Sequence, residues 1–174
     1  MKFCEMPYTR PDIDETKKSF DSLTERLASA KSYADAKEVF LEEQKLEKHI
    51  DTLVNLVSIR HSVNTRDKFY DEEKNFWNGA MPELQEYMQK WTGAMLATPF
   101  REDFSAEYGD LMFVNAEISL KAFSPEIIPE LQRENELVQE YEKLLASAQI
   151  PFEGGVYTLS QLSPFKTGAD DKRR

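Results

Sequence analysis

The side chains best suited to chemistry in this 174-residue chain are two histidines, one cysteine and a large excess of carboxylates. His49 and His61 fall in one stretch of helical periodicity, twelve residues apart. That spacing is about 18 Å along a helix and about 120° around it, too far to share an ion. Neither opens an H-E-x-x-H pair: His49 leads HIDTL and His61 leads HSVNT. Both read as structural histidines. The acidic pairs Glu42-Glu43, Glu72-Glu73 and Asp170-Asp171 sit in charge-rich stretches and read as solvated faces, not acid/base couples. Six glycines supply no phosphate loop, since Gly154-Gly155 is followed by neither a helix nor a lysine. Cys4 has no nearby histidine to activate it, and no elbow motif places a serine. The cluster Arg60, His61, Arg66 and Asp67 could face a cleft, but a salt-bridged helix junction accounts for it more simply. The residues therefore nominate no catalytic, cofactor-binding or metal-ligating side chain.

The elements are helices. Pro7 and Pro11 punctuate an extended lead-in, and a helix follows from about Asp12 to Ala30 with Ile13, Phe20, Leu23 and Leu27 on one stripe. Ser32, three residues before Asp35, caps a long helix reaching about Asn64. Its first half has one apolar face (Tyr33, Ala36, Val39, Phe40, Leu46). Its second half has two: Ile50, Leu53, Val54 and Val57 on one side, Leu56, Ile59 and Val63 nearly opposite. A helix apolar on both sides must be covered on both sides. From about Arg66 to Ala97, Tyr70, Trp77, Leu84 and Trp91 recur at sevens, with Met81, Met88 and Met95 beside them. This is a seam for a partner helix. Gly79 and Pro82 predict a kink or break in it.

A fourth helix is expected over Arg101 to Ala122 with Phe104, Leu111, Val114 and Ile118 inward. Ser124-Pro125 starts a fifth, running to about Ala148 with Ile127, Leu131, Val138, Tyr141 and Leu145 on its core face. Ile150–Glu153 and Val156–Leu159, joined by Gly154-Gly155, read as a tight hairpin. The fold class is mainly α: an elongated bundle of about five helices, two of them long, then a small β-hairpin.

Net charge is −10, which disfavours nucleic acid because binding phosphate needs clustered Lys and Arg. The only such cluster, Lys172-Arg173-Arg174, adjoins Asp170 and Asp171. No stretch approaches the roughly 18 apolar residues of a membrane span, and Met1–Tyr8 lacks a signal peptide's apolar core. With one cysteine the expectation is a cytoplasmic protein without disulfides.

Four stretches, in order, carry a family resemblance: MKFCEMPYTRP at the start, IRHSVNTRDKFYD in the middle, SPEIIPELQRENELVQEYEKLLASAQIPFEGG, and TLSQLSPF. Together they resemble the amino-terminal region of oligoendopeptidase F-type enzymes, zinc metallopeptidases related to thimet oligopeptidase. The resemblance implies a large helical enzyme with a channel between two halves. Zinc sits there on an H-E-x-x-H helix with a downstream Glu, beyond the span of these residues. It implies that residues 1–148 form a helical N-terminal domain and 149–165 a hairpin and linker. Residues 166–174 then begin a further helix leading to an absent catalytic domain. The implied role is part of the wall of an oligopeptide channel, inactive alone, with zinc bound only in the full-length parent. Two other expectations remain beside it. One is a free-standing helical module that binds a partner helix along the Trp77–Met95 seam. The other is self-association through apolar strips left uncovered.

Overall fold

The structure, a computed structural model, describes residues 3–167; nothing is described of the side chains of Cys4, Lys166 and Thr167. The expectations for Cys4's thiol, for Asp170-Asp171, for the Lys172-Arg173-Arg174 cluster and for most of the helix start at 166–174 lie outside what it describes.

Among the described residues, seven α-helices and one hairpin follow in order: α1 Ile13–Ala28, α2 Tyr33–Val63, α3 Lys68–Leu96, α4 Arg101–Tyr108, α5 Leu111–Ala122, α6 Ile128–Ser147, β1 Ile150–Phe152, β2 Gly155–Tyr157 and α7 Ser163–Thr167. Short 3₁₀ turns occur at Phe3–Glu5, Pro125–Ile127 and Ser160–Leu162. The chain divides into two compact units, Met1–Gln132 and Arg133–Arg174.

In the first unit, each long helix begins at a side chain that accepts its free amides. Asp12 accepts from the Glu15 amide at 3.0 Å, Ser32 from Asp35 at 3.2 Å, and Asp67 from Phe69 at 3.0 Å. Asn64 closes the turn between α2 and α3, its side chain accepting the Arg66 amide at 3.2 Å. The 31 residues of α2 extend about 46 Å and touch two apolar clusters in succession. One joins Leu23 and Leu27 of α1 to Trp91 and Met95 of α3, Phe104 and Phe113. The other joins Phe20 to Ile50, Leu53, Trp77 and Leu84. Trp77, Leu84 and Trp91 are all buried, so the heptad seam of α3 is internal.

Four expectations require correction here. Helix α3 is not broken at Gly79 and Pro82. It runs unbroken with Pro82 buried inside it. An internal proline costs about 3 kcal/mol, and burial of Trp77, Leu84 and Trp91 along the same helix outweighs that cost at about 1.5–3 kcal/mol per large side chain. Proline removes the amide that would have bonded to the Asn78 carbonyl, and the adjacent Gly79 carbonyl accepts Gln132 Nε2 at 2.9 Å.

The expected fourth helix is two. Gly109 takes φ +86°, a conformation that ends α4, and α5 restarts after Asp110. The restart resets the helical phase. Phe113 becomes the buried residue, while Leu111, Val114 and Ile118 face outward.

On α6 the expected core face is largely outside: Ile127 just before it and Val138, Tyr141 and Leu145 along it are exposed. The second unit ends in the hairpin, with Ile150 opposite Tyr157 and Phe152 opposite Gly155. Its turn is Glu153-Gly154, both at positive φ, one residue earlier than Gly154-Gly155. Phe165 meets the rings of Phe152 and Tyr157 edge-on, each at 5.3 Å.

Candidate functional site

A dense polar constellation lies where the amino-terminal lead-in crosses α2 and α3. Glu73, 4% exposed, receives Arg10 in a two-pronged contact, Nη2 to Oε1 at 2.7 Å and Nε to Oε2 at 3.0 Å. The Tyr8 hydroxyl donates to Glu73 Oε2 at 2.5 Å and accepts from Trp77 Nε1 at 3.1 Å. The Arg10 guanidinium also lies over Phe76, 4.5 Å from its centroid. Burial pushes the Glu73 carboxyl up, but hydrogen bonds from Arg10 and then Tyr8 outweigh it and hold the group below the usual carboxylate range. Burial, then the bond to Glu73, raises the Tyr8 phenol well above its ordinary value. Farther along, Arg60 donates to the Phe3 and Met6 carbonyls at 3.0 and 2.7 Å and to the Tyr70 hydroxyl at 2.7 Å. Every one of these groups is engaged by another. The arrangement fastens the chain's beginning and offers no free nucleophile or base.

Arg60, His61, Arg66 and Asp67 are thus drawn into the α2–α3 junction in separate roles. Asp67 caps α3, and the Arg66 backbone closes the turn. His61 is fully buried, with Nε2 3.2 Å from Asp71 Oδ1 and Nδ1 without a hydrogen-bond partner. His49 is exposed on the same helix. Among the described residues, no three His, Cys, Asp or Glu stand close enough together to hold a metal ion. Glu42 pairs with Arg26 on the surface, and Glu72 is exposed.

Glu43 is the carboxylate that a surface reading of Glu42-Glu43 misses. It is 2% exposed, lying in the α2 sequence Ala36, Val39, Glu43, Leu46, Ile50, Leu53, Val57 at alternating spacings of three and four. Burial, then the neighbouring charge of Glu47, pushes it up to about 7. Glu47 is raised too, by burial and then by Asp51. Gln44 Nε2 lies 3.2 Å from one oxygen of each. A carboxyl titrating near neutrality suits proton transfer, yet Glu43 lines none of three grooves among the described residues: one over Ser22 and Arg26, one over Ile13 and Phe76, and one over Phe3 and Met6. One of them, about 510 Å³, lies between Phe3, Met6 and the α2 face of Lys48, Asp51, Thr52 and Asn55. Another of about 420 Å³ lies between α1 and α2 over Ser22, Arg26 and Glu42. Neither gathers reactive groups.

The first unit is thus a packed scaffold with a riveted beginning, and its likeness to known proteins matches that description. Residues 3–123 match the model of the peptidase M3 N-terminal domain. The chain belongs to the peptidase M3 N-terminal domain family. Three solved structures share its fold. An oligoendopeptidase F from crystals grown by microfluidic seeding is 38% identical, TM-score 0.91. An oligoendopeptidase F from Bacillus anthracis strain Ames is 42% identical with the same score. PZ peptidase A, solved with an inhibitor, is 36% identical at 0.90. Each match covers 94–95% of this chain but only 29–30% of the other. The chain therefore spans under a third of the length of these relatives. No curated protein matches it.

Proposed function

We propose that this chain is the non-catalytic helical beginning of a zinc-dependent oligoendopeptidase that hydrolyses short peptides in the cytoplasm. The observation that carries the proposal is the near-complete overlay on less than a third of proteins named as oligoendopeptidase F. The M3 family membership supports a peptidase parent. In this reading the amino-terminal helices form part of the wall of the substrate channel. The described residues do not fit a zinc site, since no ligand-competent trio exists among them. The metal and its ligands then belong to the rest of the parent, and the 174 residues alone are inactive. No helix among the described residues is long and apolar enough to cross a membrane.

The seam from Trp77 to Met95, the surface on which a free-standing interaction module would depend, is packed inside the first unit. That leaves the peptidase reading ahead.

The test uses a quenched oligopeptide. The full-length parent is expected to cleave it and to lose activity to a chelator, while the purified 174-residue chain does neither. Chelator-sensitive cleavage by this chain alone overturns the assignment of the site elsewhere. A full-length parent without peptidase activity overturns the whole reading.

A further inference from the structure

Helix α6 is built inside out. Leu137, Val138, Tyr141, Leu144 and Leu145 are between 39% and 67% exposed, and the buried residue of the helix is Gln139. At 100° per residue the five apolar side chains fall within about 120° of one another, and Gln139 lies nearly opposite their centre. Charges border the stripe. The same geometry sets Glu140 and Glu142 on its two flanks and Glu134 in line with it one turn before Leu137 or Val138. Arg133, on the same flank as Glu140, is committed to Glu136 at 3.0 Å and lies 3.9 Å from Glu140, and Lys143 falls on the opposite side of the helix from the stripe. A continuous apolar stripe of this size on a chain of 31% charged residues marks a contact surface.

We propose that this stripe docks the part of the parent polypeptide that lies outside these 174 residues, onto an apolar ridge edged with Lys or Arg. Two observations favour that occupant. The matched structures carry about 70% of their length outside the region this chain covers, so there is polypeptide to fill the face. The acidic border also selects against a second copy of this chain, because two-fold pairing of the stripe sets Glu140 and Glu142 against their own kind. The inference rests on the reading of the chain as one part of a larger peptidase.

Hydrogen exchange over residues 137–145, compared between the 174-residue chain and the full-length parent, needs no substitution. Docking slows exchange in the parent at least about tenfold; equal rates overturn the proposal. The pair Tyr141→Asp and Leu144→Asp supplies a second readout. It leaves the melting temperature of the 174-residue chain unchanged and lowers that of the parent by about 3 °C or more. An unchanged parent, or an equal drop in both, overturns the docking. Sedimentation of the 174-residue chain completes the set: a dimer that the same pair abolishes names a second copy as occupant and overturns the choice made here. Peptide cleavage by the unmodified parent reports separately on the underlying reading. Cleavage with fast exchange removes the docking alone, and slow exchange without cleavage removes the peptidase alone.

Discussion

Helices α3 and α6 place similar side chains to opposite ends. Both carry large apolar residues on one face, and both are rich in charge. Along α3, Trp77, Leu84 and Trp91 are buried against α1 and α2. Along α6, Leu137, Tyr141 and Leu144 are exposed and a glutamine is buried. Amphipathicity says that a helix has a face to cover; it does not say which body covers it. The matched family domain, ending at residue 123, stops before α6 begins.

The contrast has measurable consequences. Trp91→Ala empties the first apolar cluster and is expected to cost about 3–5 kcal/mol in urea unfolding. A loss under about 1 kcal/mol breaks the claim that the α3 seam holds the first unit. Glu43 tests the same interior from its polar side. Its raised value means that the folded chain keeps a proton which the unfolded chain gives up. Stability is therefore full below about pH 4.5, falls as pH rises and levels off above about 7. The total is about 3 kcal/mol, and Glu43→Gln should flatten that slope, equalling the parent chain at pH 4 and exceeding it at pH 8. A slope that survives the substitution places its origin elsewhere.

Glu73→Gln loosens the amino-terminal rivet and leaves Arg10 half in water, so about 2 kcal/mol is expected, with faster proteolysis before Pro11 as the second sign. Gly109→Ala strains the α4–α5 break by about 1 kcal/mol. At the far end of the scale, Leu144→Ala on α6 is expected to shift stability by no more than about 0.5 kcal/mol. A cost comparable to Trp91→Ala erases the distinction between the two helices.

Much of the first unit was legible in the residues. Ser32 and Asp67 are local caps and act as caps, and the sevens of α3 found real neighbours. The α4–α5 break was not legible, because Phe104, Leu111 and Ile118 keep helical spacing straight across Gly109. Only the backbone at that glycine decides the phase. Pro82 misled in the other direction, since tertiary burial outweighed a local breaker. Glu43 was hidden by its acidic neighbours. Its place in the three-and-four spacing of α2 was the available signal, while Glu73 had none, its partners Tyr8 and Arg10 being remote in sequence. On α6 the apolar spacing marked a face, but nothing in it showed that Leu137, Tyr141 and Leu144 stand exposed while Gln139 is buried.

The rivet at Glu73 also sets an order of events during synthesis. Tyr8 and its acceptor are 65 positions apart, and ribosomes add about 5–20 residues per second. Tyr8 therefore waits about 3–13 s after it is added before the carboxylate that holds it is made. For that interval the segment around Tyr8 and Arg10 is open to proteases and chaperones.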